Sequence, residues 1–264
     1  MDLELRDRVA LITGGSYGIG RGCAEALAGE GAHVAICARN EDKLDQAASE
    51  IQSQFGIKAL GVVADCSKPP DIENFVKRAA DTFGRIDILI NNAGTGSDEK
   101  IETTPDERWQ YYWDLNTMSA IRCARSVIPH MKENGWGRIV NISSIYAKQP
   151  GSYCPVYNVT KAALMMFSRC LAEELVGYNI LVNNVNPGLI RTPLWEYWAG
   201  VWGKEQGITA DQYMDNHAKQ HTPIKRFCST DELANVIVFL CSTKNTYMTG
   251  ASIDVTGGWV KAIY

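Results

Sequence analysis

Short apolar runs rich in Val and Ile recur along this chain, at residues 9–13, 33–38, 59–64, 86–91, 138–143 and 180–186. They are near-continuously apolar rather than alternating, which is what a strand needs when both faces of its sheet are covered. Between them the pattern predicts helices over residues 18–29, 41–55, 70–83, 105–134 with a break or bend, and 155–177. A last helix and strand are expected at 230–241 and 252–255. Repeated βαβ units with right-handed crossovers build a doubly wound α/β three-layer sandwich around a central parallel sheet, with a ligand crevice at the carboxyl ends of the strands. The chain reads as one domain over residues 1–264. Residues 194–227 break the rhythm: they show no strand pattern and crowd Trp195, Tyr197, Trp198, Trp202, Tyr213, His217 and His221. The insertion, residues 189–227, is expected to lie at the crevice mouth as a lid over the substrate.

With 264 residues, 45% of them hydrophobic, the chain can bury one sizeable core. The formal net charge is -4 and Lys and Arg are scattered, which argues against nucleic acid and against a membrane surface as partners and leaves a small molecule. The start, Met1-Asp2-Leu3-Glu4-Leu5-Arg6, has no apolar export segment, and the longest apolar run, 236–241, is too short to span a bilayer. A cytoplasmic location is expected. Eight cysteines without a C-x-x-C pair read as reduced thiols. His217 and His221 stand four apart but have no further ligands nearby, so no metal site is expected.

Directly after the first strand comes Thr13-Gly14-Gly15-Ser16-Tyr17-Gly18-Ile19-Gly20, opening into a helix. Glycines there permit a tight turn, close approach of the backbone to a pyrophosphate, and tight packing of helix on strand, while the helix amino terminus attracts phosphate charge. The second strand ends in Cys37-Ala38-Arg39-Asn40. A carboxylate for the ribose hydroxyls of NAD is missing there, and Arg39 suits the 2′-phosphate of NADP(H).

Tyr157 and Lys161 lie four apart on a helix and share one face. A tyrosine acts as an acid or base near neutral pH when an ammonium stabilises its phenolate, and Lys161 is placed to do so. Ser143 and Ser144 end the fifth strand, thirteen residues upstream, and the Ser144 hydroxyl is placed to hydrogen-bond a substrate carbonyl oxygen.

Taken in order, Thr13-Gly14-x-x-x-Gly18-x-Gly20, Asn91-Asn92-Ala93-Gly94, Asn116, Ser144, Tyr157-x-x-x-Lys161 and Pro187-Gly188-x-x-x-Thr192 resemble the short-chain dehydrogenase/reductase family over essentially the whole chain. The resemblance implies a Rossmann-like fold with strand order 3-2-1-4-5-6-7, NADP(H)-dependent interconversion of a carbonyl and a secondary alcohol, and a homotetramer. It also implies a catalytic tetrad of Asn116, Ser144, Tyr157 and Lys161, in which Asn116 positions a water and Lys161 holds the nicotinamide ribose. By the same resemblance the cofactor meets Gly14, Ser16, Tyr17, Gly18, Ile19, Gly20 and Arg39. Asp65 and Cys66 belong to the adenine side, Asn91, Asn92, Ala93 and Gly94 to the ribose side, and Pro187, Gly188, Ile190 and Thr192 to the carboxamide side.

The loop after Ser144 is expected to form one substrate wall through Tyr146, Gln149, Tyr153 and Cys154, with Leu194, Trp195 and Trp198 facing it from the lid. Aromatic walls favour bulky apolar or cyclic substrates over small polyols, unless the rings only pack the lid onto the core. Cys66 and Asn184 stand where a small aliphatic residue is usual in this family. A 3-oxoacyl thioester reductase shares every motif and is the nearest enzymatic alternative; Lys204, Lys219, Lys225 and Arg226 are the thin basic supply near the mouth for an acyl carrier. A noncatalytic dinucleotide sensor would have lost Tyr157 or Lys161, and both are present. An extended-branch epimerase or dehydratase would be longer.

Overall fold

The computed structural model describes residues 2–96, 99–150 and 154–261. Its strands are β1 (Val9–Thr13), β2 (His33–Ala38), β3 (Ala59–Val63), β4 (Ile88–Asn91), β5 (Gly137–Ile142), β6 (Ile180–Pro187) and β7 (Ser252–Val255). They join in one parallel sheet of order β3-β2-β1-β4-β5-β6-β7. β1 pairs with β2 on one side and β4 on the other, so the two halves wind away from each other at that point and open a crevice beyond the carboxyl ends of β1 and β4.

Alternation along the strands sorts their side chains onto two cores. Ala10, Ile12, Val34 and Ile36 pack under α1 (Gly18–Gly29), α2 (Glu41–Phe55) and α9 (Thr230–Cys241). Val9, Leu11, Ala35 and Cys37 pack on the other face, under α3 (Pro69–Phe83), α5 (Ser119–Asn134) and α6 (Pro155–Leu175). Every residue of β1 and β5 is buried. Fully buried Phe75, Leu27 and Ile51 each contribute about 1.5–3 kcal/mol of transfer free energy.

Three departures from the pattern have local causes. The strand expected from residue 86 begins at Ile88, because the buried Asp87 carboxylate takes the Val9 N–H at 3.0 Å and two guanidiniums, Arg8 at 2.9 Å and Arg85 at 2.6 Å. The stretch 105–134 resolves into α4 (Asp106–Trp113), a π-helical turn over Asp114–Met118, and α5. The bend predicted there is this wider turn, which carries the buried Asn116. Finally, the strandless stretch forms two helices, α7 (Pro193–Glu205) and α8 (Ala210–His221). Thr192 caps α7 by accepting the Trp195 N–H, and a Thr209–Gln212 capping box starts α8. Exposed aromatics such as Tyr197 and Trp198 on α7 obscured their helical period. Among the described residues no helix is long and apolar enough to cross a membrane.

Candidate active site

Thr13, at the end of β1, ties the glycine turn to the loop after β4. Its hydroxyl accepts the N–H groups of Asn92 and Ala93, each at 3.0 Å, and the Asn92 amide donates back to the carbonyls of Thr13 (2.9 Å) and Gly14 (3.1 Å). The Asn92 side chain thus braces the turn. Gly14 has φ +67° and Gly18 φ +61°, conformations that favour glycine. A Cβ on Gly20 would stand 2.3 Å from the Gly14 carbonyl oxygen, so the turn can close only over glycine.

Beyond the turn α1 begins with no side-chain cap and no acidic residue in its first turn, which leaves its first N–H groups and their positive dipole end for an anion. A cradle that a Cβ would fill, set against an uncapped helix start, fits the pyrophosphate of a dinucleotide. Tyr17 is half-exposed at the mouth of that cradle, Ile19 is partly buried beside it, and Ser16 is buried. Arg39 is exposed just past β2 and makes no ion pair among the described residues. Asp65 receives the backbone N–H and hydroxyl of Ser67 on one carboxylate oxygen, at 3.0 and 2.8 Å. The Cys66 thiol turns inward, 3.7 Å from the sulfur of Cys37.

On the facing side, Gly188 donates its N–H to the Val255 carbonyl at 2.9 Å, and a Cβ there would meet the Thr256 backbone at 2.9 Å. This seats the loop that begins at Pro187, where β6 ends. Ile190 is buried and bridges to Cys228. Thr192 presents its methyl toward Gly18, so the end of β6 and the glycine turn meet across the crevice.

The residues expected to handle protons converge where α6 passes the end of β5. Ser144 caps a short 3-10 turn, Ile145–Ala147, accepting the Tyr146 N–H at 3.1 Å, and it hydrogen-bonds the Tyr157 phenol. Lys161 is buried, and its ammonium donates to the Ile142 carbonyl at 2.7 Å. Ser143 is turned away and donates to the Lys161 carbonyl at 2.8 Å, which leaves Ser144 as the hydroxyl at the site. Asn116 is clamped on three sides: its carbonyl oxygen accepts the Thr95 N–H (2.9 Å), and its amide donates to the Thr95 carbonyl (2.9 Å) and the Thr160 hydroxyl (3.0 Å). Gly94 lets the backbone pass over both Asn116 and Lys161; a Cβ there would stand 3.0 Å from one and 3.1 Å from the other.

Electrostatically the pair differs from the sequence expectation. Burial pushes the Tyr157 phenol up to about 12, with the Ser144 hydrogen bond opposing it, and burial takes Lys161 down to about 8. The Lys161 nitrogen lies 5.6 Å from the Tyr157 ring centroid and spends one proton on a backbone carbonyl. The Ser144 hydrogen bond, which favours the phenolate, is therefore outweighed by desolvation. Tyr157 is held in its protonated form, the form a proton donor in carbonyl reduction needs.

Of the expected pocket residues, Tyr146 lies beside the tetrad, Cys154 is buried at the start of α6 with φ +53°, and Gln149 is exposed; Tyr153 lies outside the described residues. Leu194 and Trp198 are exposed on α7, and Trp198 stacks on Trp202 at 5.5 Å. Trp195 packs on Trp202, His217 and Phe227, so much of the aromatic surface of this stretch is spent on itself. Motif reading missed two residues. Gly96 lies against the Tyr157 ring, where a Cβ would come within 3.2 Å, and Trp259 sits edge-on to Tyr146 with ring centroids 6.1 Å apart.

The model of the family described as Enoyl-(Acyl carrier protein) reductase matches residues 14–260. L-sorbose reductase from Gluconobacter frateurii, solved in complex with NADPH and L-sorbose, superposes with a TM-score of 0.98 at 47% identity over 100% of both chains. An actinorhodin polyketide ketoreductase solved with NADPH superposes with a TM-score of 0.90 at 30% identity, over 97% of this chain and 98% of that one. The 3-oxoacyl-[acyl-carrier-protein] reductase of Aquifex aeolicus is 33% identical over 98% of this chain and 99% of its own length. Matched from end to end by these oxidoreductases in both sequence and fold, the chain belongs to the short-chain dehydrogenase/reductase family.

Proposed function

We propose that this chain is an NADPH-dependent reductase that converts a ketose, or a closely related polyhydroxylated ketone, to its secondary alcohol. The observation that carries the substrate class is the full-length likeness to L-sorbose reductase at 47% identity. Thioester reduction is the second reading, favoured by the family model and by the Aquifex relative. The basic groups near the mouth support it weakly, because Arg226 is already held bidentate by Glu232, at 2.7 and 2.6 Å.

The glycine turn and the α1 amino terminus would hold the pyrophosphate, Arg39 the 2′-phosphate, Lys161 the nicotinamide ribose, and Ile190 with Thr192 the carboxamide. When bound, the reduced nicotinamide supplies a hydride to the carbonyl carbon. Tyr157 gives its phenolic proton to the carbonyl oxygen as charge gathers there. Ser144 accepts the Tyr146 N–H and keeps its own hydroxyl proton to donate to that oxygen. Lys161, charged below about pH 8, favours the phenolate left behind. Asn116, locked by Thr95 and Thr160, keeps a carbonyl lone pair on the Lys161 side, the place for a water that returns the proton.

Initial rates with NADPH on L-sorbose, a plain aliphatic ketone and a 3-oxoacyl thioester test this reading. Fastest turnover of the ketose is expected; preference for the thioester would replace the ketose reading with the second one. Arg39→Asp removes the phosphate partner and places a carboxylate near the ribose. The NADPH:NADH ratio of kcat/KM is expected to fall by about 100-fold, since a charge-assisted contact is lost and a repulsion gained. An unchanged ratio takes Arg39 out of the phosphate site.

A homotetramer is the proposed assembly. α6 leaves Val159 at 49% and Met166 at 63% exposure, seven residues apart on one face, as a helix awaiting a second subunit does. Light scattering is expected to give the mass of four chains, and a monomer at micromolar concentration would refute the assembly.

A further inference from the structure

Two imidazoles on α8 stand without polar partners among the described residues. His217 and His221, on α8, have ring centroids 4.3 Å apart, and Trp259 lies 5.1 Å from His221 and 6.5 Å from His217. Trp259 in turn meets Tyr146 at 6.1 Å, and the Tyr146 phenol is close enough to Tyr157 to perturb it. A line of rings therefore runs from Tyr146, near Tyr157, through Trp259 to the two histidines of α8.

The line is held in place from behind. Gly257 accepts the Ile224 N–H at 3.2 Å, and Gly258, at φ +83°, lies so close to Pro223 that a Cβ would meet its ring at 2.9 Å. Trp195 and Tyr213 cover His217 from the other side, at 5.4 and 5.9 Å. Among the described residues neither imidazole makes a hydrogen bond or an ion pair, and no third metal-ligating side chain joins them. Both rings are only partly buried and their nitrogens are not sealed from solvent, so a hydroxyl of a bound molecule can reach them. A neutral imidazole offers one donor and one acceptor, which matches a hydroxyl group. His217 is neutral at ordinary pH, because burial and then His221 push it down to about 4.

We propose that His217 and His221, seated by Trp259 and Tyr146, are specificity-determining residues that hydrogen-bond the hydroxyl groups of the substrate farthest from the reacting carbonyl. The inference rests on the ketose reading and names the residues that select the long polyhydroxylated chain. Pockets of this build are mostly apolar, with a few polar groups that fix orientation.

The test compares wild type, His217→Phe and His217→Gln on L-sorbose and on hydroxyacetone, which shares the reacting end and lacks the distal hydroxyls. Phe keeps the ring packing and removes both nitrogens. His217→Phe is expected to raise KM for L-sorbose by about 10- to 30-fold, within the range for a buried hydrogen bond left unmade, and to leave kcat/KM for hydroxyacetone within about twofold. Gln, whose amide can replace one ring nitrogen, is expected to recover most of the loss. Melting temperature and NADPH binding report on folding, and if His217→Phe does not fold, His221→Phe carries the same expectation. Equal losses on both ketones, or no loss on either, would overturn the inference while the ketose reading stood. Failure of wild type to reduce L-sorbose while it reduces other ketones would overturn the ketose reading and this inference with it.

Discussion

Replacement of Tyr157 by Phe is expected to lower kcat about 10³-fold while leaving NADPH affinity within about threefold, because the substitution deletes a general acid and little else. The phenol lies under Gly96 and hydrogen-bonds Ser144, and desolvation holds its proton at about 12. Phe keeps the ring that packs under Gly96, so the pocket stays filled. Ser144 remains in place, fixed by the Tyr146 N–H, yet a serine hydroxyl is too weak an acid to take over the transfer. Stopped-flow consumption of NADPH measures kcat, and nucleotide fluorescence titration measures binding. A fall of less than about tenfold would move the proton donor elsewhere.

Gly20→Ala is expected to carry the second large effect, on the cofactor rather than on the chemistry. The added Cβ would stand 2.3 Å from the Gly14 oxygen, 2.5 Å from the Asn92 amide nitrogen and 2.9 Å from the Gly14 carbonyl carbon. Two of these atoms are backbone, and Asn92 is committed to the carbonyls of Thr13 and Gly14, so no flexible side chain can yield. The turn must open instead. Overpacking of this kind costs about 2 kcal/mol, a drop of roughly 5 °C in melting temperature for a chain of this size. The opened turn loses its fit to the pyrophosphate, and Kd for NADPH is expected to rise about 30-fold or more. Gly177→Ala is the matched control: nothing lies within 4 Å of its Cβ, and both quantities should hold. Equal behaviour of the two variants would remove the steric argument for the turn.

Much of this molecule was legible from local pattern. β1, β2 and β7, and helices α1, α2 and α9, have the bounds that their residue patterns predicted, since their apolar periods and end signals lie within the segments themselves. What escaped depends on distant partners. The start of β4 is set by what Asp87 binds, and α7 carries exposed aromatics where an ordinary surface helix carries charge. The same division runs through the site. Ser144, Tyr157 and Lys161 announce themselves by spacing, and the structure brings them together with Asn116. The direction of the tyrosine's shift did not follow from spacing, because desolvation outweighs the Ser144 hydrogen bond and only packing reveals desolvation. Trp259 was invisible because its ring reaches Tyr146 and the two histidines only once distant segments of the chain are folded together. Asn184, which had no account in the sequence, belongs to a buried amide ladder: it donates to Asn186 at 2.7 Å and to the Ser252 hydroxyl at 3.1 Å, pinning β6 to the edge strand β7.

NADPH deuterated at the transferable C4 position, incubated with purified protein and L-sorbose in ordinary water, gives the most direct test of hydride transfer to a carbonyl carbon with Tyr157 as proton donor. Mass spectrometry of the product should find one deuterium on the new carbinol carbon for each NADPH oxidised, with labelled product forming about 10³-fold more slowly when Tyr157 is Phe. A product without deuterium, or tight NADPH binding with no oxidation on any ketone, would contradict it.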